Sequence, residues 1–175
     1  MRDFKADYKV IGLCCAMLVV LLLSAILCKV YESIVVSTSV VKSGVVESDS
    51  DLVKLNKIAS YIKSNTQLKD SELSRRMLTQ FDYFAVLDTL SSNCGNCREV
   101  AVTIKRLAEA AGVDTSDLRV IYANIDYTDN SYSMYNAKHA ALEYKDCVVD
   151  ICIDAGLVVS WFDSTDAWLA ECRLH

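Results

Sequence analysis

Val10–Cys28 (VIGLCCAMLVVLLLSAILC) is a run of 19 residues without a charge, bounded by Lys9 and Lys29. Roughly 20 such residues cross a bilayer as a helix, so the pattern predicts a short N-terminal segment over 1–9 and a transmembrane helix over 10–28. Cleaved signal peptides have shorter apolar cores with small residues at the cut, whereas Ser24 and Ala25 sit inside this run; the segment reads as an anchor that stays in place. Residues 29–50 then mix β-branched side chains with Ser and charges. They read as a stalk, with a short strand as the alternative.

From residue 51 the apolar positions fall at helical spacing, then at strand spacing. Leu52, Leu55, Ile58, Ala59 and Ile62 share one side of a helix over 51–63, with Asp49 or Ser50 as its cap. A second helical stretch runs over 71–89, its end beyond Phe81 able to become a strand. A third, over 98–111, aligns Val100, Ala101, Ile104, Leu107, Ala108 and Ala111 and stops at Gly112. Strand patterns follow at 118–125, 140–144, 147–153 and 157–162, with Lys145-Asp146 as a hairpin turn and a polar, Tyr-rich loop over 126–138. Residues 164–172 close the chain as a short helix. Helices first and an antiparallel sheet afterwards make an α+β domain over 51–175.

Composition narrows the function classes. The net charge is −5, and residues 1–30 hold four basic and two acidic residues, so the remainder carries 14 basic and 21 acidic residues, a net −7. That is the wrong sign for binding a nucleic-acid backbone. Arg2, Lys5 and Lys9 favour a cytoplasmic N-terminus, and therefore an exported or periplasmic C-terminal domain. Cys14 and Cys15 lie inside the apolar run, where thiols behave as small hydrophobes. The chain has no Pro, which excludes any site built on a cis-proline.

The chemistry centres on Cys97, at the start of the third helix, where unpaired backbone N–H groups and the helix dipole favour a thiolate. A nucleophilic thiol needs a base, and the two histidines are His139 and His175. If Lys145-Asp146 is the turn, Tyr144 faces Cys147 and Ala141 faces Asp150. His139 and Asp150 then lie one diagonal step apart on the same sheet face. The expected roles are Cys97 as nucleophile, His139 as base and Asp150 as the group fixing the imidazole tautomer. Gln80 and Asn93 are side-chain oxyanion candidates beside the Cys97 backbone N–H.

GNCREVAVTIKRLAEAAGV followed by HAALEYKDCVVD resembles the transglutaminase-like branch of the papain-like thiol enzymes over roughly residues 93–153. In that family a Gly-x-Cys opens a helix, and His and Asp sit on neighbouring antiparallel strands. The resemblance implies the same assignments for Cys97, His139 and Asp150, and a cysteine peptidase or amidase that works by acyl transfer without a cofactor. It also implies a protein, peptide or peptidoglycan substrate on the envelope side. The aromatic residue often found two places after the family's histidine is Ala141 here. Because the family includes catalytically dead members, a non-catalytic interaction domain with the same fold is an alternative.

Two other readings use the same thiols. Cys94-Gly95-Asn96-Cys97 at a helix start resembles the thioredoxin-like redox proteins, with Cys94 and Cys97 as the dithiol. That family's cis-proline is missing, and Ser92-Asn93 stand where an aromatic is expected. A closed zinc site would draw on Cys94, Cys97, Cys147 and Cys152, but a single Cys-x-x-Cys supports it. No metal is therefore expected. Trp161 and Trp168 read as residues that pack the core or cover the terminal helix.

Overall fold

The computed structural model describes residues 4–69, 81–123, 139–152 and 159–172, with side chains from residue 11. Helix α1 (Phe4–Lys42) is followed by α2 (Asp51–Asn65), strand β1 (Gln67–Leu68), α3 (Asp82–Ser92), β2 (Cys94–Gly95) and α4 (Cys97–Ala110). The sheet strands β3 (Leu118–Ala123), β4 (His139–Tyr144), β5 (Cys147–Asp150) and β6 (Ser160–Phe162) come next, and α5 (Thr165–Cys172) closes the chain. Helices and sheet therefore segregate along the chain as α+β. Of the helix expected over 71–89, residues 71–80 lie outside the described residues, as do the loop over 126–138 and Gln80, and residues 82–89 are helical in α3.

The chain divides into two compact units, residues 1–34 and residues 35–175. In the first, α1 is long and apolar enough to cross a membrane, with a mean hydropathy of 2.9 over its most apolar 18 residues, none of those 18 buried. The second unit begins inside the segment expected to be a stalk. Residues 29–42 are helical, and Val36 is 2% exposed in the main core, with Val40 packed against it. Consecutive β-branched valines lower helix propensity locally. Here burial of Val36 adds to the stability of the turns.

The main core gathers Leu55, Ile58, Ala59 and Ile62 of α2, Ala85 and Val86 of α3, and Val100, Ile104, Leu107 and Ala108 of α4. These meet Leu118, Leu142, Tyr144 and Val149 on one face of the sheet. Leu52, expected on the packed side of α2, is 51% exposed; its place is one turn too early, and Lys54 is buried instead. Tyr144 Oη donates to Asp51 Oδ2 at 2.9 Å and Trp161 Nε1 to Asn56 Oδ1 at 3.1 Å, tying α2 to the strands.

The four-stranded sheet runs β3-β4-β5-β6, antiparallel throughout. Its hairpin register pairs Tyr144 with Cys147 and Leu142 with Val149, as expected from a Lys145-Asp146 turn; Lys145 takes φ 56° there. Ile121, Ala123, Ala141 and Val148 form a second core with Trp168 and Cys172 of α5. Because side chains alternate along a strand, the sheet buries one face under α2 and α4 and the other under α5. β1 and β2 pair in parallel as a separate two-stranded ribbon, Gln67 with Cys94 and Leu68 with Gly95.

Candidate active site

Cys97 is the first residue of α4 and its position is fixed by a capping box. Asn96 Oδ1 accepts from Glu99 N at 3.1 Å, and Asn96 N donates to Glu99 Oε2 at 3.0 Å. Those two bonds satisfy backbone donors that the first helical turn otherwise leaves open. Gly95 must be small: an added Cβ would lie 2.9 Å from Thr89 Oγ1 and 3.3 Å from Val100 Cγ2. Arg98 Nη2 bonds Asp82 Oδ1 at 2.6 Å and joins the starts of α3 and α4.

His139 opens β4 opposite Ala123, and Asp150 ends β5 opposite Ser160. These four residues therefore share one end of the sheet. His139 Nε2 and Asp150 Oδ2 are 2.5 Å apart, their side chains 12% and 1% exposed. Cys97 also acts on the His139 ring, favouring, as Asp150 does, the protonated imidazole. So the ends of β4 and β5 bring His139 and Asp150 into direct contact, and Cys97 at the N-terminus of α4 acts on the same imidazole.

Burial disfavours the His139 imidazolium, but the hydrogen bond to Asp150 and the charge of its carboxylate, together with the influence of Cys97, outweigh it. The balance is a pKa raised to about 10. Cys152 and Cys172 are driven the other way in reactivity. Burial first, and the nearby Asp150 carboxylate second, push both thiols up, Cys172 to about 12. They stay protonated and poorly nucleophilic at neutral pH.

Asp150 has two further partners that the sequence did not reveal. Its Oδ1 accepts from the Cys152 backbone N–H at 2.8 Å, and its Oδ2 accepts from Trp168 Nε1 at 2.8 Å. Trp168 is fully buried, and its ring centroid is 5.9 Å from that of His139. Core packing was the expectation for this indole, and it does pack; nothing in the spacing signalled that its N–H would reach a strand-end carboxylate 18 residues earlier.

The remaining sequence candidates fall as follows. Asn93 closes α3 in the left-handed region at φ 54°, its carbonyl accepting from Gln67 N at 2.8 Å and its side chain exposed. Gln80 is outside the described residues. Cys94 lies in β2, and all eight cysteines are free thiols. Among the described residues no group of three or more His, Cys, Asp and Glu side chains is gathered to hold a metal ion, so Cys94, Cys97, Cys147 and Cys152 do not form the zinc cluster considered from spacing. A charged depression lined by Ser116, Asp117, Arg119, Glu143, Lys145 and Asp146 sits at the hairpin end of the sheet. At about 3.3 Å per strand residue, Lys145 is about 20 Å along β4 from His139. Searches of protein-family models, curated proteins and solved structures find no match to this chain.

Proposed function

We propose that the chain is a membrane-anchored thiol hydrolase, a cysteine peptidase or amidase of the transglutaminase-like and papain-like kind. The observation that carries the reading is the buried His139–Asp150 hydrogen bond, with Cys97 at the start of a capped helix acting on the same imidazole. In this reading Cys97 Sγ attacks the carbonyl carbon of an amide, and the oxyanion is met by the Cys97 backbone N–H at the positive end of α4. His139, holding its proton well above neutral pH, delivers it to the departing amine as the C–N bond breaks. A thioester to Cys97 remains. Water then gives its proton to His139, attacks the thioester and restores the thiolate and the imidazolium. Asp150 holds the ring through Nε2 in both steps.

The substrate assigned is a protein or peptide on the side of the membrane opposite the N-terminus. This orientation follows from the basic residues Arg2, Lys5 and Lys9 ahead of the apolar run.

The test is site-resolved alkylation of the full-length protein in detergent by a thiol-reactive probe, read by peptide mass spectrometry at Cys97. Fast labelling that drops in His139→Ala, vanishes in Cys97→Ala and persists in Cys94→Ala is the expected pattern. Equal dependence on Cys94 would favour dithiol redox chemistry, and labelling of Cys97 no faster than of Cys147 would favour a non-catalytic domain.

A further inference from the structure

We propose that Trp168 is a positioning residue of the thiol site, its indole N–H and the Cys152 backbone N–H clamping the Asp150 carboxylate so that Oδ2 faces His139. The inference rests on the acyl-transfer reading of Cys97, His139 and Asp150.

A carboxylate turns easily about its last side-chain bond, and one hydrogen bond to a ring that changes protonation during turnover holds it weakly. Asp150 is held from three directions. Oδ1 is fixed by the Cys152 backbone N–H at 2.8 Å, and Oδ2 takes Trp168 Nε1 at 2.8 Å and His139 Nε2 at 2.5 Å. Two of the three donors cannot follow the imidazole if it moves. The Cys152 N–H belongs to the backbone just past β5, and Trp168 is enclosed with Ile121, Ala141, Val148 and Cys172 in the core beneath α5. The indole N–H bonds the same oxygen that serves His139, and its ring lies beside the imidazole, so it touches both ends of that contact. A phenyl ring would fill much of the same core. Only an N–H can hold the carboxylate.

The titratable groups around this contact are Cys97 from α4, Asp150 and Cys152 at the end of β5, and Cys172 and Glu171 from α5, with Lys63 of α2 acting on Cys152. A change confined to the Trp168 N–H leaves all of these in place.

The experiment measures the alkylation rate of Cys97 by iodoacetamide in the full-length protein from about pH 5 to about pH 10, spanning histidine and thiol titration. Trp168→Phe is expected to slow the reaction at neutral pH about tenfold, the scale of losing a hydrogen bond to a charged group, and to move the acidic limb of the profile to higher pH. Should Trp168→Phe unfold the domain, 3-benzothienylalanine at position 168 keeps the shape of the indole and replaces only its N–H, and the same loss is expected. In an Asp150→Ala background the change at 168 should have no further effect, because the carboxylate it holds is gone. A wild-type profile for the isostere, or a full additive loss beside Asp150→Ala, overturns the role of Trp168. His139→Ala separates the two levels. A wild-type rate in that variant overturns the acyl-transfer reading and this inference together, whereas a slow His139→Ala beside an unaffected isostere overturns this inference alone.

Discussion

His139 is a residue whose protonation couples the proposed chemistry to stability. Its pKa is raised to about 10 in the fold, burial opposing and the hydrogen bond to Asp150 with the influence of Cys97 prevailing, while an unfolded histidine titrates near about 6.5. The folded state therefore keeps a proton that the unfolded state has lost. The stabilisation is complete below about pH 6.5 and disappears as pH rises toward about 10, at about 1.4 kcal/mol per pH unit. Cys152 and Cys172 are shifted upward too and add a slope of the same sign, but only above the ordinary thiol range near about pH 8.5. Between about pH 6.5 and about pH 8.5 the slope belongs to His139. Urea unfolding followed by tryptophan fluorescence should show a falling midpoint across that window in the wild type and a nearly flat one in His139→Ala; matching slopes would contradict the pairing. At this scale the sequence was informative about Cys97, His139 and Asp150 because a two-residue turn dictates which strand residues meet. It was silent about Trp168, whose partner depends on where α5 folds back.

The element that carries most of the local argument is α4. Asn96 and Glu99 stand three apart ahead of an apolar face, the spacing that a capping box requires, and both reciprocal bonds are present. Asn96→Ala should cost about 1 kcal/mol of stability, measured as a lowered unfolding midpoint. It should also slow Cys97 alkylation, since fraying the first turn loosens the residue at its head. Unchanged alkylation in a destabilised variant would show that the cap serves the helix and not the thiol. Gly112 at φ 75° ends the same helix where expected. The end of α1 is the opposite case. Its Ser- and Val-rich sequence has low helix propensity when judged alone, and burial of Val36 supplies what propensity lacks.

For the whole molecule, the consequence concerns where the second unit starts. A chain beginning at Val35 retains Val36 and Val40, which pack in the main core, and should fold cooperatively. One beginning at Asp51, the boundary that the hydrophobic pattern suggests, loses both and should be less stable by about 2 kcal/mol or more, as the loss of buried apolar side chains implies. Thermal unfolding of the two chains decides this, and equal midpoints would return residues 35–50 to the role of a stalk. What the sequence determined by itself was everything set by short-range periodicity: the apolar span, the α+β order, the helix opened by Cys97 and the hairpin that aligns His139 with Asp150. These follow from the helical and strand repeats and from turn length, which act over a few residues. The tertiary structure alone decided that the end of α1 packs into the core, that Cys97 of α4 comes within electrostatic reach of His139, and that Trp168 bonds Asp150. Each of those depends on side chains far apart along the chain sharing one buried volume, where a polar group must find a partner from whatever element packs beside it.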